Sequence, residues 1–251
     1  MNKLSVLDDF IIKQFPKSAK YDLEWLLKNS MGPCSVWLTE YLVENMKLKP
    51  GMRVLDMGCG KGMSSVFLAK EYGVTVFAND LWISATENLK NFTEMGVSDR
   101  VFPIHAEAHA LPYAENFFDA IVSIDSYQYY GTNEIYLHYI SKYLKTGGQI
   151  GIVSPGLTHE IGNNIPEKYQ EYWEEDWCTF HSPSWWKEHF EKCKFLKVNI
   201  ADNLQNGWEI WSKWELLYKE YSKRDKNKYL ELMEMDLSEI LTLSRVIATK
   251  N

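Results

Sequence analysis

Little in this 251-residue chain suits it to a membrane, an oxidising compartment or a polyanion. No uninterrupted apolar run approaches membrane-spanning length, and Met1–Phe10 meets Asp8 and Asp9 before any long apolar core, so neither a span nor a secretory leader is expected. The four cysteines, Cys34, Cys59, Cys178 and Cys193, form neither a CxxC pair nor a disulfide framework. They read as buried or idle thiols, with no metal site expected. Lysine plus arginine number 27 against 34 aspartates and glutamates, a net charge of −7 that gives no general attraction to nucleic acid or anionic lipid. Internal repeats and low-complexity linkers are also missing. A soluble, cytoplasmic protein with no stable membrane association is the expectation.

What is present is ample core material, 45% hydrophobic residues, arranged as β-rich runs alternating with helical patterns from Met52 to about Val153. Strands are expected at Val54–Met57, Val74–Asn79, Val101–Ile104, Ala120–Ile124 and Gln149–Val153, the signature of an α/β fold around a parallel sheet. Met63–Tyr72 reads as a helix, Ser84-Ala-Thr-Glu87 is a capping box opening a helix to Met95, and Gly147-Gly148 closes a helix running from about Ile135 to Leu144. Residues 1–49 read as a helical extension, with Trp37, Tyr41, Leu42 and Met46 at helical spacing. Residues 50–157 form the core, and 158–251 a cap with two closing strands, Phe195–Ala201 and Ile240–Thr249. Seven of the ten tryptophans, from Trp173 to Trp214, fall in that last part. Ser182-Pro183 opens a helix there, Trp208 to about Glu239 supplies one or two more, and Lys219–Lys228 is a basic run that reads as a solvated helix face.

The most informative stretch is Arg53-Val-Leu-Asp-Met-Gly-Cys-Gly-Lys-Gly-Met63, a strand entering a turn with glycines at 58, 60 and 62, followed by Asp80 at the end of the next strand. Glycine at 58 and 60 opens backbone angles closed to other residues and removes the Cβ that would block a ligand, while Gly62 lets helix pack on strand. Free amides at the start of the Met63 helix suit a carboxylate. The alternating glycines differ from the dinucleotide pattern GxGxxG. With Asp56 ahead of them they have the form DxGxGxG, which resembles motif I of class I S-adenosylmethionine-dependent methyltransferases of the type 11 kind, grouped with the menaquinone and ubiquinone biosynthesis enzymes. Further matches are Ala106–Tyr113, Phe117–Ile124 and Leu144–Ile152, in the expected order.

That resemblance implies a Rossmann-like sheet of seven strands, mostly parallel with the last antiparallel, and S-adenosyl-L-methionine as cofactor. The cofactor-binding set it implies is Asp56, Gly58, Cys59, Gly60, Gly62, Asp80, Leu81, Glu107, Ala108 and Asp125. Within it Asp56 anchors the ammonium group directly or through water, Asp80 takes both ribose hydroxyls, and Glu107 with a backbone amide reads the adenine. Trp82 either covers the adenine or seats the helix after it.

Residues beyond the fourth strand, Asp125 to Tyr130, are expected to face the transferred methyl group. Tyr127 and Tyr129 are the candidates for orienting the acceptor, and His159 with Glu160 the first candidates for a base; His109 reads as cofactor-side. The tryptophan tract either packs the cap or builds an aromatic pocket for a small-molecule acceptor. Asn29-Ser-Met-Gly-Pro33 either folds over the cofactor or simply separates two helices. The expected chemistry is methyl transfer to a small molecule by in-line displacement. A cyclopropane-synthase-like reaction on lipid, a non-catalytic S-adenosylmethionine-binding module and a nicotinamide dehydrogenase are the alternatives.

Overall fold

A computed structural model describes residues 13–162, 164–223 and 227–251. The stretch Met1–Phe10 and the middle of the basic run, Arg224, Asp225 and Lys226, lie outside them. The chain forms a seven-stranded sheet from β1 (Arg53–Met57), β2 (Thr75–Asp80), β3 (Val101–His105), β4 (Phe118–Ile124), β5 (Leu144–Leu157), β6 (Leu196–Asn203) and β7 (Leu241–Lys250). Their order across the sheet is 3-2-1-4-5-7-6. The first five strands are parallel, with Val54 beside both Val76 and Ala120, and β7 runs antiparallel to β5 and β6.

Both faces of the sheet are covered, which explains why the central strands are largely apolar on both faces. Val54 faces the core shared with α2 (Ser35–Val43) and α3 (Met63–Tyr72), while Leu55 and Met57 face the opposite core shared with α5 (Glu134–Ser141) and α6 (Pro183–Glu191). Further helices among the described residues are α1 (Leu23–Lys28), α4 (Ala85–Glu94), α7 (Gly207–Ser222) and α8 (Lys228–Met233). Side-chain caps open them where the sequence promised: Ser84 accepts from the Glu87 amide, and Ser182, followed by Pro183, accepts from the Trp185 amide. Among the described residues no helix is long and apolar enough to cross a membrane.

Both ends of β5 differ from expectation, and so does the end of the helix before it. The helix expected to reach Leu144 stops at Ser141, and β5 begins before the glycine pair, with Leu144 beside Phe118. Gly147, at φ 77°, sits where the β4–β5 register shifts between Phe118 and Ala120, so it serves a bulge rather than a helix end. At its other end β5 continues to Leu157 because β7 pairs with it all the way, from Gln149–Thr249 to Leu157–Leu241.

Candidate active site

A cavity of about 350 Å³ lies at the carboxyl ends of β1, β2 and β4, bounded by the bend after β1, by Asp80–Trp82, by Ala106–His109 and by Ile124–Tyr130. That size suits a nucleoside-scale ligand with room beside it. The bend is shaped for close approach: Gly58 has φ 68°, and a Cβ there would lie 1.8 Å from Ser126 Oγ. Gly62, at φ 82°, precedes α3, and a Cβ there would strike the Phe92 ring of α4 at 2.2 Å. The glycine pattern is thus required by packing on both sides of the bend.

Hydrogen bonds fix the bend from three directions. The amides of Gly58 and Cys59 donate to the Asn79 carbonyl at 2.8 and 3.0 Å, and the Gly60 amide donates to Asp80 Oδ2 at 2.8 Å. From α4, Asn88 Nδ2 donates to the Gly60 carbonyl at 2.9 Å and Asn91 Nδ2 to that of Lys61 at 3.3 Å. Neither asparagine was expected at the site; two asparagines three apart on one helix face, one of them buried, were the available signal. Asp80 Oδ1 accepts from the amides of Trp82 and Ile83, both at 2.8 Å. Three backbone donors therefore hold this carboxylate at the cavity wall.

Gly58, Cys59, Gly60, Asp80, Leu81, Glu107, Ala108 and Asp125 all line the cavity. Asp56 does not. It is buried behind the bend, where Oδ2 accepts from Ser64 Oγ and Ser65 Oγ, both at 2.6 Å, so its direct contribution is to hold the first turn of α3. Burial pushes its carboxyl up to about 6 against the opposing pull of the two serines. Gly62 likewise shapes the wall without lining it. Met63 and Ser64 do line it, at a helix start whose first amides have no intrahelical acceptor. Glu107 is engaged by His109, whose amide and Nδ1 lie 3.1 and 2.7 Å from its carboxylate, and these contacts lower its pKa.

Beyond β4 the chain turns sharply. Asp125 adopts φ 52°, a left-handed conformation that aspartate tolerates better than most residues, and its Oδ1 accepts from Gln128 Nε2 at 3.2 Å. Burial pushes the Asp125 carboxyl up to about 8; the Gln128 hydrogen bond opposes this and the Glu215 charge adds to it. Tyr129 lines the cavity mouth, 52% exposed, its ring 6.4 Å from that of Trp82, which is 75% exposed. Burial pushes the Tyr129 phenol up to about 12, so it remains a hydrogen-bond donor at neutral pH. The Tyr130 hydroxyl braces the floor through Ser123 and Ser126 at 3.0 and 2.9 Å.

Three of the four catalytic candidates are elsewhere. Tyr127 is buried in the opposite core against Tyr130, Tyr136 and Trp186, because the 3₁₀ turn Tyr127–Tyr129 points alternate tyrosines to opposite sides. Since β5 runs on to Leu157, His159 and Glu160 are carried past the cavity. Glu160 instead accepts from the Ser182 amide at 2.6 Å and lies 3.1 Å from His181, bracing the start of α6. The cap tryptophans Trp208, Trp211 and Trp214 are buried packing residues, none of them on the cavity wall. Loop Asn29–Pro33, by contrast, lines the cavity through Asn29, Met31, Gly32 and Pro33.

Residues 54–148 match the sequence model of the family described as "Methyltransferase domain". Methyltransferase GfsG of Streptomyces halstedii is 32% identical over 136 residues, which cover 53% of this chain and 49% of that protein. The sterol 4-C-methyltransferase strm-1 of Caenorhabditis elegans is 28% identical over 174 residues, covering 66% and 48% respectively. This chain therefore spans about half the length of these curated relatives. In three dimensions it resembles Haemonchus contortus phosphoethanolamine N-methyltransferase 2, solved with S-adenosyl-L-methionine, at a TM-score of 0.72 and 21% identity, covering 98% of this chain and 59% of that one. The strand order with its reversed last strand, the alternating glycines and the matched segment agree with one another: residues 54–148 match a methyltransferase domain, and the sheet that carries them has the class I methyltransferase arrangement.

Proposed function

We propose that this protein transfers the methyl group of S-adenosyl-L-methionine to a small acceptor that is neutral or cationic where it meets the cavity, by in-line displacement. One observation carries the reading: a single cavity joins the glycine bend and Asp80, which suit an adenosyl amino acid, to Asp125 and Tyr129 beyond β4, which face what lies alongside. The residues fit that cofactor. Gly58 and Gly60 leave room for backbone approach, Asp80 retains acceptor capacity on Oδ2, and the first turn of α3 offers amides to a carboxylate.

When bound, the cofactor supplies an activated methyl on sulfur, so the protein's task is alignment, and near-attack positioning is worth up to about 7 to 11 kcal/mol in favourable cases. Tyr129 donates its hydroxyl to an acceptor heteroatom at the mouth. Asp125 holds a protonated acceptor, or takes the proton that must leave before transfer, and a pKa near neutrality suits that duty.

Acceptor class follows from the charges on the wall. Beside the carboxylates Asp80 and Glu107 and the Asp125 carboxyl, Lys61 is the one lysine or arginine among the described lining residues, and its Nζ already donates to the Lys28 carbonyl at 3.3 Å. Phosphate recognition ordinarily uses several cationic forks, so a phosphorylated acceptor of the kind named for the Haemonchus enzyme is disfavoured here. The narrower quinone-group reading has no specific support in the cavity, and lipid modification meets the same acidic wall.

The test is release of S-adenosylhomocysteine from the methyl donor with a panel of amines, phenols, thiols, lipids and phosphorylated amines. Turnover on an amine, phenol or thiol supports the proposal. Preference for a phosphorylated acceptor would overturn the acceptor class, and tight cofactor binding without turnover on any member would favour a binding module.

A further inference from the structure

The sheet does not supply the roof of the cavity; the loop Asn29–Pro33 between α1 and α2 does. Gly32 of this loop lies directly on Asp125, so closely that a Cβ on Gly32 would fall 2.2 Å from Asp125 Oδ2. Only a residue without a side chain can sit there while Asp125 keeps its position.

What holds the loop down comes from the far end of the chain. Trp214 of α7, 1% exposed, shares its indole N–H between Ser30 Oγ and the Gly32 carbonyl, each at 3.0 Å. Ser30 Oγ itself donates to the same carbonyl at 3.0 Å, closing a small triangle of hydrogen bonds. The Trp214 ring also packs edge-on against Trp37 of α2, centroids 5.1 Å apart at 73°, so the same residue contacts the helix that follows the loop. A buried indole N–H with two acceptors is a strong constraint, because losing it leaves Ser30 Oγ without its donor and the Gly32 carbonyl held by Ser30 alone.

We propose that Trp214 is a positioning residue for the active site: its indole N–H sets the height of the Gly32 roof over Asp125, and so governs how firmly the cofactor is enclosed and how fast product leaves. The inference builds on the reading of the cavity as a cofactor site. It assigns to the tryptophan-rich cap a role that packing alone does not require.

The decisive comparison is among Trp214→Phe, Gly32→Ala and Trp211→Phe in the full-length protein. Trp211 is equally buried in α7, packs against Trp177, Phe180 and Trp208, and makes no described contact with the loop, so it reports a purely structural loss. Dissociation of S-adenosylhomocysteine is followed by stopped flow, hydrogen exchange at residues 30–36 by mass spectrometry, and unfolding by heat. Trp214→Phe and Gly32→Ala, which lift the loop from opposite sides, should each release S-adenosylhomocysteine about tenfold faster and exchange faster in the loop while β1, β4 and β5 stay protected. Trp211→Phe should lower the unfolding temperature yet leave dissociation within about twofold of the parent.

A wild-type dissociation rate in folded Trp214→Phe, or equal acceleration in Trp211→Phe, overturns the proposal. Should Trp214→Phe fail to fold, Ser30→Ala removes one acceptor with the indole still packed; it should accelerate dissociation in the same direction, and no acceleration would count against the proposal. If the parent protein binds neither S-adenosylmethionine nor S-adenosylhomocysteine, the cofactor reading fails on its own. Loop exchange in the ligand-free proteins then decides the positioning role independently, with no loosening in Trp214→Phe overturning it.

Discussion

Asp80 is largely committed before any ligand arrives, since it already accepts the amides of Gly60, Trp82 and Ile83. It is the rivet between the bend and the start of α4, and in the proposed reading a ligand group as well. Asp80→Ala should weaken S-adenosylhomocysteine binding by about 1 to 3 kcal/mol and also lower folding stability, because three amides lose their acceptor at once. Calorimetric titration and denaturant unfolding read the two effects separately, and unchanged affinity in a folded variant would remove Asp80 from the cofactor site. Asp125 gives a prediction of a different kind. With its carboxyl pushed up to about 8, against about 3.9 in an unfolded chain, the folded protein retains a proton that the unfolded chain has lost. The stability contribution of this group is thus complete below about pH 4 and is lost as pH rises through about 8, at no more than about 1.4 kcal/mol per pH unit. Asp56, pushed up to about 6, acts in the same sense over a narrower range. Denaturant midpoints of wild type and Asp125→Asn should therefore separate between about pH 5 and about pH 9, the variant gaining on the parent as pH rises; parallel curves would mean Asp125 titrates normally.

Elements were legible in the sequence where the signal is local, and the site residues failed where it depends on how far an element runs. The glycine bend, Asp80 and the caps at Ser84 and Ser182 could be read directly because strand period, turn chemistry and helix start all sit within a few residues. His159 and Glu160 were misplaced because nothing near Val153 reveals that β7 will extend β5 to Leu157. The tyrosines after β4 were readable as a group but not individually, since a 3₁₀ turn rather than a strand decides that Tyr129 faces the mouth while Tyr127 faces the core. Asn88 and Asn91 were missed because an amide on a helix announces no partner until the neighbouring bend is in place. The corrected role of Glu160 is testable at this scale. Glu160→Ala removes the acceptor for the Ser182 amide at the start of α6 and should cost about 1 kcal/mol of stability with cofactor affinity and methyl transfer unchanged. A large loss of turnover in a stable variant would return Glu160 to the catalytic group.

At the scale of the whole molecule, charge links the surface to the cavity. The chain carries −7 overall, and the cavity wall repeats that sign with Asp80 and Glu107 against Lys61, joined by Asp125 as pH rises through about 8. S-adenosylmethionine bears one net positive charge at neutral pH, from its sulfonium and ammonium groups against one carboxylate, whereas S-adenosylhomocysteine is net neutral. The protein's field therefore attracts the methyl donor and is nearly indifferent to the product, an asymmetry that favours exchange of spent cofactor for fresh. Such a field is screened once the Debye length shrinks from tens of ångströms to a few. Raising salt from about 20 mM to about 500 mM should weaken S-adenosylmethionine binding several-fold while leaving S-adenosylhomocysteine affinity almost unmoved. Asp125→Asn should narrow the gap between the two ligands at low salt at pH above about 8, where the parent carboxyl is ionised. Equal salt responses for donor and product would show that the acidic wall does not face the sulfonium, and with that the argument for a neutral or cationic acceptor alongside it would lose its electrostatic basis.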